Sequence, residues 1–117
     1  PVILGLMAVS AVVAAPLAEE LFFRLVLQGW LERRDRAWTR QLGAAAPPRG
    51  SLAIMGSAFL FGAVHLQQGP APIPLFLLGL VLGYVYFRTH RVAPCIVAHS
   101  LFNAFSVVNL GLTLWDR

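Results

Sequence analysis

The sequence contains no lysine; all nine of its basic residues are arginine. Charge of either sign is scarce, at 12% of 117 residues, about half the share usual in soluble domains. With 58% hydrophobic residues and a mean hydropathy of +0.73, the chain is too apolar for an ordinary soluble domain and reads as a membrane protein. One cysteine, Cys95, excludes an internal disulfide. Strand-like alternation, internal repeats and low-complexity tracts are all missing. The net charge of +4 sits mainly between apolar runs rather than on one basic face, which excludes nucleic acid as a partner. The first residue is Pro1, not Met, so residues 1–117 are expected to be one domain cut from a longer chain.

What is present is four apolar runs, at about residues 2–31, 51–66, 73–87 and 93–114. The expected fold class is therefore all-α, a polytopic helical membrane protein with about four transmembrane helices. Pro16 is expected to kink the first run, and Pro94 suits the first turn of the fourth. Runs two and three are short against the roughly 20 residues a span needs.

The connectors set the orientation. "ERRDRAWTRQLGAAAPPRG" carries Arg33, Arg34, Arg36, Arg40 and Arg49, and "RTHR" carries Arg88 and Arg91, whereas "QQGPAP" has no charge. The positive-inside rule places both arginine-rich connectors in the cytoplasm. Trp30, Tyr84 and Tyr86 then fall near that face and Trp115 near the opposite one, as interfacial aromatics do.

Against this background "LAEELFFRLVLQ" is anomalous. The first run holds 15 Leu, Ile, Val or Phe residues, worth on the order of 7 kcal/mol on an insertion scale. A charge at mid-helix loses roughly 2.5 to 3.5 kcal/mol on the same scale, so Glu19, Glu20 and Arg24 together cancel most of that gain. Charges kept at such a cost are functional or tightly paired. Glu20 and Arg24 are spaced i,i+4 with the acid first, the favoured order for a helical ion pair. Glu19 lies about 100° round the helix and has no such partner, which suits a general base or a metal ligand. The plainer alternative is that both glutamates line a wet groove or a helix interface.

Other polar residues sit in apolar surroundings: His65 in "FLFGAVHL", and His99 with Asn103 in "HSLFNAF". His99 and Asn103 are i,i+4 and share a face, as do Phe61 and His65. At 1.5 Å per residue from the cytoplasmic ends, Glu19, His65, His99 and Asn103 lie roughly 18, 20, 10 and 16 Å deep, a band about 10 Å tall. One intramembrane site can collect them. Singly, each histidine has a structural reading, and Asn103 has one as glue between helices. His90, between Arg88 and Arg91, reads as interfacial. Gly56, Gly62, Gly79 and Gly83 read as close-packing positions. Cys95 has no nearby base, and Ser100 diverges from His99 on the helix, so neither reads as a nucleophile.

Three segments carry a family signature. "EELFFR" fits EExxxR, "FGAVH" fits FxxxH and "HSLFN" fits HxxxN. In that order the chain resembles the CPBP intramembrane proteases, the family of the CAAX prenyl endopeptidases and of bacteriocin-processing and immunity (ABI) proteins. The resemblance implies a membrane-embedded endopeptidase acting on a peptide or protein substrate. It implies Glu19 as the base that activates water, assisted by His65, with His99 and Asn103 stabilising the oxyanion. Glu20 and Arg24 would be a supporting pair, and Phe61 enters through the FxxxH motif.

Zinc is one of two alternatives. Two His and one Glu form a ligand set known from catalytic zinc sites. In that reading Glu19, His65 and His99 bind the ion and another acid, Glu20, becomes the base. The other reading is glutamate-dependent and needs no metal; no HExxH is present. A proton or cation carrier, and a catalytically silent immunity or scaffold protein, are the competing functions. The Arg-only, Ala-rich composition suggests the bacterial inner membrane.

Overall fold

The computed structural model describes residues 1–115, and those residues are helical with short connectors. Four helices follow in order: α1, Val2–Ala45; α2, Ser51–Ala63; α3, Pro72–Thr89; and α4, Ala93–Trp115. Among the described residues α1, α3 and α4 are long and apolar enough to cross a membrane, whereas α2 has 13 residues. The second apolar run does not stay helical to its end, because the chain passes into tight turns after Ala63.

The first helix departs most from the sequence-based expectation. It does not stop near Leu31 but stays α-helical through the arginine-rich segment to Leu42, and a 3₁₀ turn over Gly43–Ala45, with Gly43 at φ 55°, closes it. Hydropathy marks where the chain leaves lipid, not where a helix ends. Residues 29–42 are rich in good helix formers, and the Arg33 and Arg40 side chains bond back to the carbonyls of Gly29 and Arg36. The buried Asp35 carboxylate then accepts from the Gly50 N–H at 2.6 Å, pinning the connector against the helix.

The helix continues through Pro16. The helix widens to π geometry over Ser10–Ala14, just before the proline, and again over Leu21–Gln28. Such widenings are a usual response to an obstructed hydrogen-bond ladder, and they recur at functional sites.

Apolar packing is concentrated where α1, α2 and α3 meet. Phe23, Phe61 and Leu75 form one buried cluster, and Leu82, Tyr86 and Cys95 form a second between α3 and α4. The backbones of α2 and α3 touch closely: a Cβ on Gly79 would stand 3.0 Å from the Ala58 Cα, so even alanine would crowd the two helices. Outward-facing Leu, Val, Ile and Phe residues cover the rest, including the whole face of Val2–Val9, which buries nothing. That surface is the one a lipid environment requires. Trp30 and Tyr84 lie under the guanidinium groups of Arg34 and Arg88, at 5.2 and 6.0 Å, beside the arginine-rich connectors.

Candidate active site

A cavity of about 220 Å³ lies between α1, the end of α2, α3 and α4. Its walls are Ala11, Ala15, Glu19, His65, Gln68, Leu75, His99 and Asn103. The four polar residues singled out in the sequence therefore face one space, although they come from three motifs up to 84 positions apart (103 − 19).

The adjacent glutamates have different surroundings because successive helical side chains diverge by about 100°. Glu20 is fully buried and both its oxygens are engaged. Oε2 accepts from Arg24 Nε at 2.7 Å, and Oε1 lies 2.9 Å from His99 Nδ1. Glu19 keeps 28% of its side-chain surface and meets the cavity. Its Oε1 is 3.9 Å from His65 Nε2 and its Oε2 is 3.7 Å from His99 Nε2. Neither distance is a hydrogen bond.

The hydrogen bonds fix what each imidazole presents. His65 Nδ1 lies 2.7 Å from the Phe61 carbonyl, which can only accept, so the Nδ1 proton is committed there. His65 reaches this carbonyl because it sits in the turn closing α2, four residues after Phe61. His99 Nδ1 likewise donates to the Glu20 carboxylate. Both Nε2 atoms thus lie on the side of Glu19. Asn103 does not leave its whole amide to the cavity: Nδ2 donates to the Ala11 carbonyl at 2.8 Å.

Behind the cavity, Phe61 is the common packing surface. Its buried ring meets Phe23, His65 and His99 edge-on at 5.1, 5.3 and 5.4 Å, and the Arg24 guanidinium lies 5.7 Å above it. Both imidazole planes are set against that one ring.

Several groups in this network escaped the sequence reading. Arg24 Nη1 donates to Ser57 Oγ of α2 at 3.0 Å and to Gln28 Oε1 at 3.4 Å. Gln28 Nε2 donates to the Gly83 carbonyl of α3 at 2.8 Å and to Glu32 at 3.1 Å. A Cβ on Gly83 would come within 3.2 Å of Gln28 Oε1, so a glycine keeps this approach open. Glu20, Arg24, Gln28 and Glu32 thus form a ladder of i,i+4 contacts down α1, ending where Glu32 faces His90 at 3.2 Å. Gln28 was legible in principle as the next step of the Glu20–Arg24 spacing. Ser57 was one hydroxyl among small residues, and Gln68 lay in a connector remarkable only for its lack of charge.

The donor types suit zinc but their placement does not. Among the described residues no three His, Cys, Asp or Glu side chains are arranged to hold a metal ion. The two Glu19 oxygens face different imidazoles. Were Glu19 spent as a ligand, Glu20 could not replace it as base, since it is buried away from the cavity with both oxygens occupied.

Comparison with curated proteins and with solved structures gives no match. A family model does match, and over most of the chain: residues 1–105 fit the type II CAAX prenyl endopeptidase Rce1-like model. With that coverage, and with all three motifs inside it, the chain belongs to the Rce1-like type II CAAX prenyl endopeptidase family.

Proposed function

We propose that the chain is an intramembrane endopeptidase that hydrolyses a peptide bond with a water activated by Glu19 and His65. One observation carries this reading: the Glu19 carboxylate stands 3.9 Å from His65 Nε2 and 3.7 Å from His99 Nε2 around one cavity, too far for a hydrogen bond to either. Glu19 and His65 Nε2 are both acceptors and cannot satisfy one another. A water between them donates one O–H to Glu19 and the other to His65 Nε2.

The steps follow from these positions. Glu19 takes a proton from the water as its oxygen attacks the scissile carbonyl carbon. The carbonyl π electrons move onto oxygen, giving a tetrahedral oxyanion. His99 in its doubly protonated form donates from Nε2 to that oxyanion, while Nδ1–H stays on Glu20. The Asn103 N–H left over from the Ala11 bond adds a second donor. The C–N bond then breaks, and the leaving amine takes the proton from Glu19. Charge balances within the site: Glu20 offsets Arg24, and Glu19 offsets the imidazolium of His99.

The substrate class is a protein whose cleavage site reaches the bilayer, of which a prenylated CAAX terminus is the candidate that the family name supplies. The bacterial inner membrane is the proposed location. The test is cleavage by the purified chain in liposomes, using farnesylated and unmodified peptides, beside Glu19→Gln. Turnover that disappears in the Glu19→Gln variant supports the proposal and excludes a silent scaffold. Wild-type turnover that survives the substitution overturns the assignment of the base, and ion flux without cleavage favours a carrier.

A further inference from the structure

The bond from Asn103 to Ala11 joins α4 to α1 across 92 positions, and its acceptor is a main-chain carbonyl inside a helix, where such a group ordinarily has a partner already. The reason it is free lies in the local ladder. In an uninterrupted α-helix the Ala11 carbonyl takes the N–H of residue 15. Here the Ala15 N–H goes instead to Ser10, five residues back. In that wider register the next donor, owed to Ala11, is residue 16. Residue 16 is proline and has no N–H. An unmatched carbonyl in an apolar segment is costly, and Asn103 Nδ2 meets it at 2.8 Å.

We propose that Pro16 is a positioning residue of the site: by withholding an N–H from Ala11, it makes that carbonyl the anchor of the Asn103 amide and so sets where the amide's remaining N–H stands. A side-chain amide can present either its oxygen or its nitrogen to a neighbour. A carbonyl accepts only, so the anchored atom is nitrogen, and one of its two hydrogens is left for the cavity that Ala11, Ala15 and Asn103 all line. Pro16 itself is fully buried and does not line the cavity, so its effect runs through Asn103. The kinetic part of this inference rests on the peptidase reading; the tether itself does not.

The test is a double-mutant cycle on the full chain: Pro16→Ala, Asn103→Ala and the pair, read by thermal unfolding in detergent and by peptide cleavage. Loss of the tether in Asn103→Ala lowers Tm by about 5 °C in the Pro16 background. In the Pro16→Ala background the same substitution lowers Tm by less than half as much, since residue 16 now serves Ala11. Pro16→Ala by itself lowers kcat about three- to tenfold and leaves KM within about twofold, because the oxyanion donor is misplaced while the rest of the cavity is kept. Equal Tm losses in both backgrounds overturn the tether. Wild-type kcat in Pro16→Ala overturns the positioning role. A wild-type chain that cleaves nothing defeats the peptidase reading, and the Tm cycle then decides the tether separately. Pro16→Ser restores the same N–H should the alanine variant fold poorly. Asn103→Leu, similar in size and without a donor, must lose Tm as Asn103→Ala does; a wild-type Tm in Asn103→Leu overturns the inference without any change at Pro16.

Discussion

Glu19 and Glu20 are neighbours in sequence and opposites in the fold, so the same substitution at each has opposite consequences. Glu20→Gln keeps size and shape but presents one oxygen and one NH₂ where two donors, Arg24 Nε–H and His99 Nδ1–H, now find acceptors at 2.7 and 2.9 Å. Whichever way the amide turns, one donor faces another. If that donor belongs to Arg24, a fully buried guanidinium loses its counter-charge. Removing one partner of a buried pair costs about 3–5 kcal/mol, a large part of the stability of a small domain. Glu19→Gln breaks no hydrogen bond and affects a side chain that keeps 28% of its surface, so its cost stays within about 0.5 kcal/mol. Thermal unfolding of both variants in one detergent, followed by cleavage assays, measures the contrast. Glu19→Gln is expected to melt with the wild type and to lose turnover; Glu20→Gln is expected to melt far lower. A Glu20→Gln variant as stable as wild type, or a Glu19→Gln variant that unfolds early, refutes the division of labour drawn from the side-chain contacts.

Three further outcomes follow from the same geometry. Arg24→Lys keeps the charge but loses the planar fork that reaches Glu20 and Ser57 together, and is expected to lower stability by about 1–3 kcal/mol in chemical unfolding; wild-type stability would show the fork to be dispensable. Gly83→Ala places a methyl 3.2 Å from Gln28 Oε1 and Ile54 Cγ2, and is expected to cost about 1–3 kcal/mol; an unchanged melting curve argues against the tight α1–α3 approach. Dialysis against a chelator is expected to leave cleavage unchanged, since the acids and imidazoles do not close around an ion; loss of activity restored by added zinc would reverse that conclusion.

How much of this was legible beforehand depends on what each residue reports. The convergence of Glu19, His65, His99 and Asn103 on one cavity was readable because burying a polar group in a bilayer is costly, so each polar intruder in an apolar run marks a protein interior. The Glu20–Arg24 pair was readable from its i,i+4 spacing. The Glu20–His99 bond was not, since nothing local says which face of α4 meets which face of α1. The length of α1 was misjudged because hydropathy falls at Arg33 while helix propensity does not. The π widening at Ser10–Ala14 was hidden as well: a proline announces that a ladder is obstructed but not how the helix absorbs it.

The ladder along α1 has an electrical consequence. Glu20, Arg24, Gln28 and Glu32 connect the cavity's histidine to the arginine-rich end of α1, and such a chain resembles a conduit for protons. Its second rung is a guanidinium, which has no lone pair to receive a proton and does not release one in proteins. Arg24 is thus an insulator placed in the wire. A proton taken up or given back at the cavity therefore does not travel along this ladder to its Glu32 end.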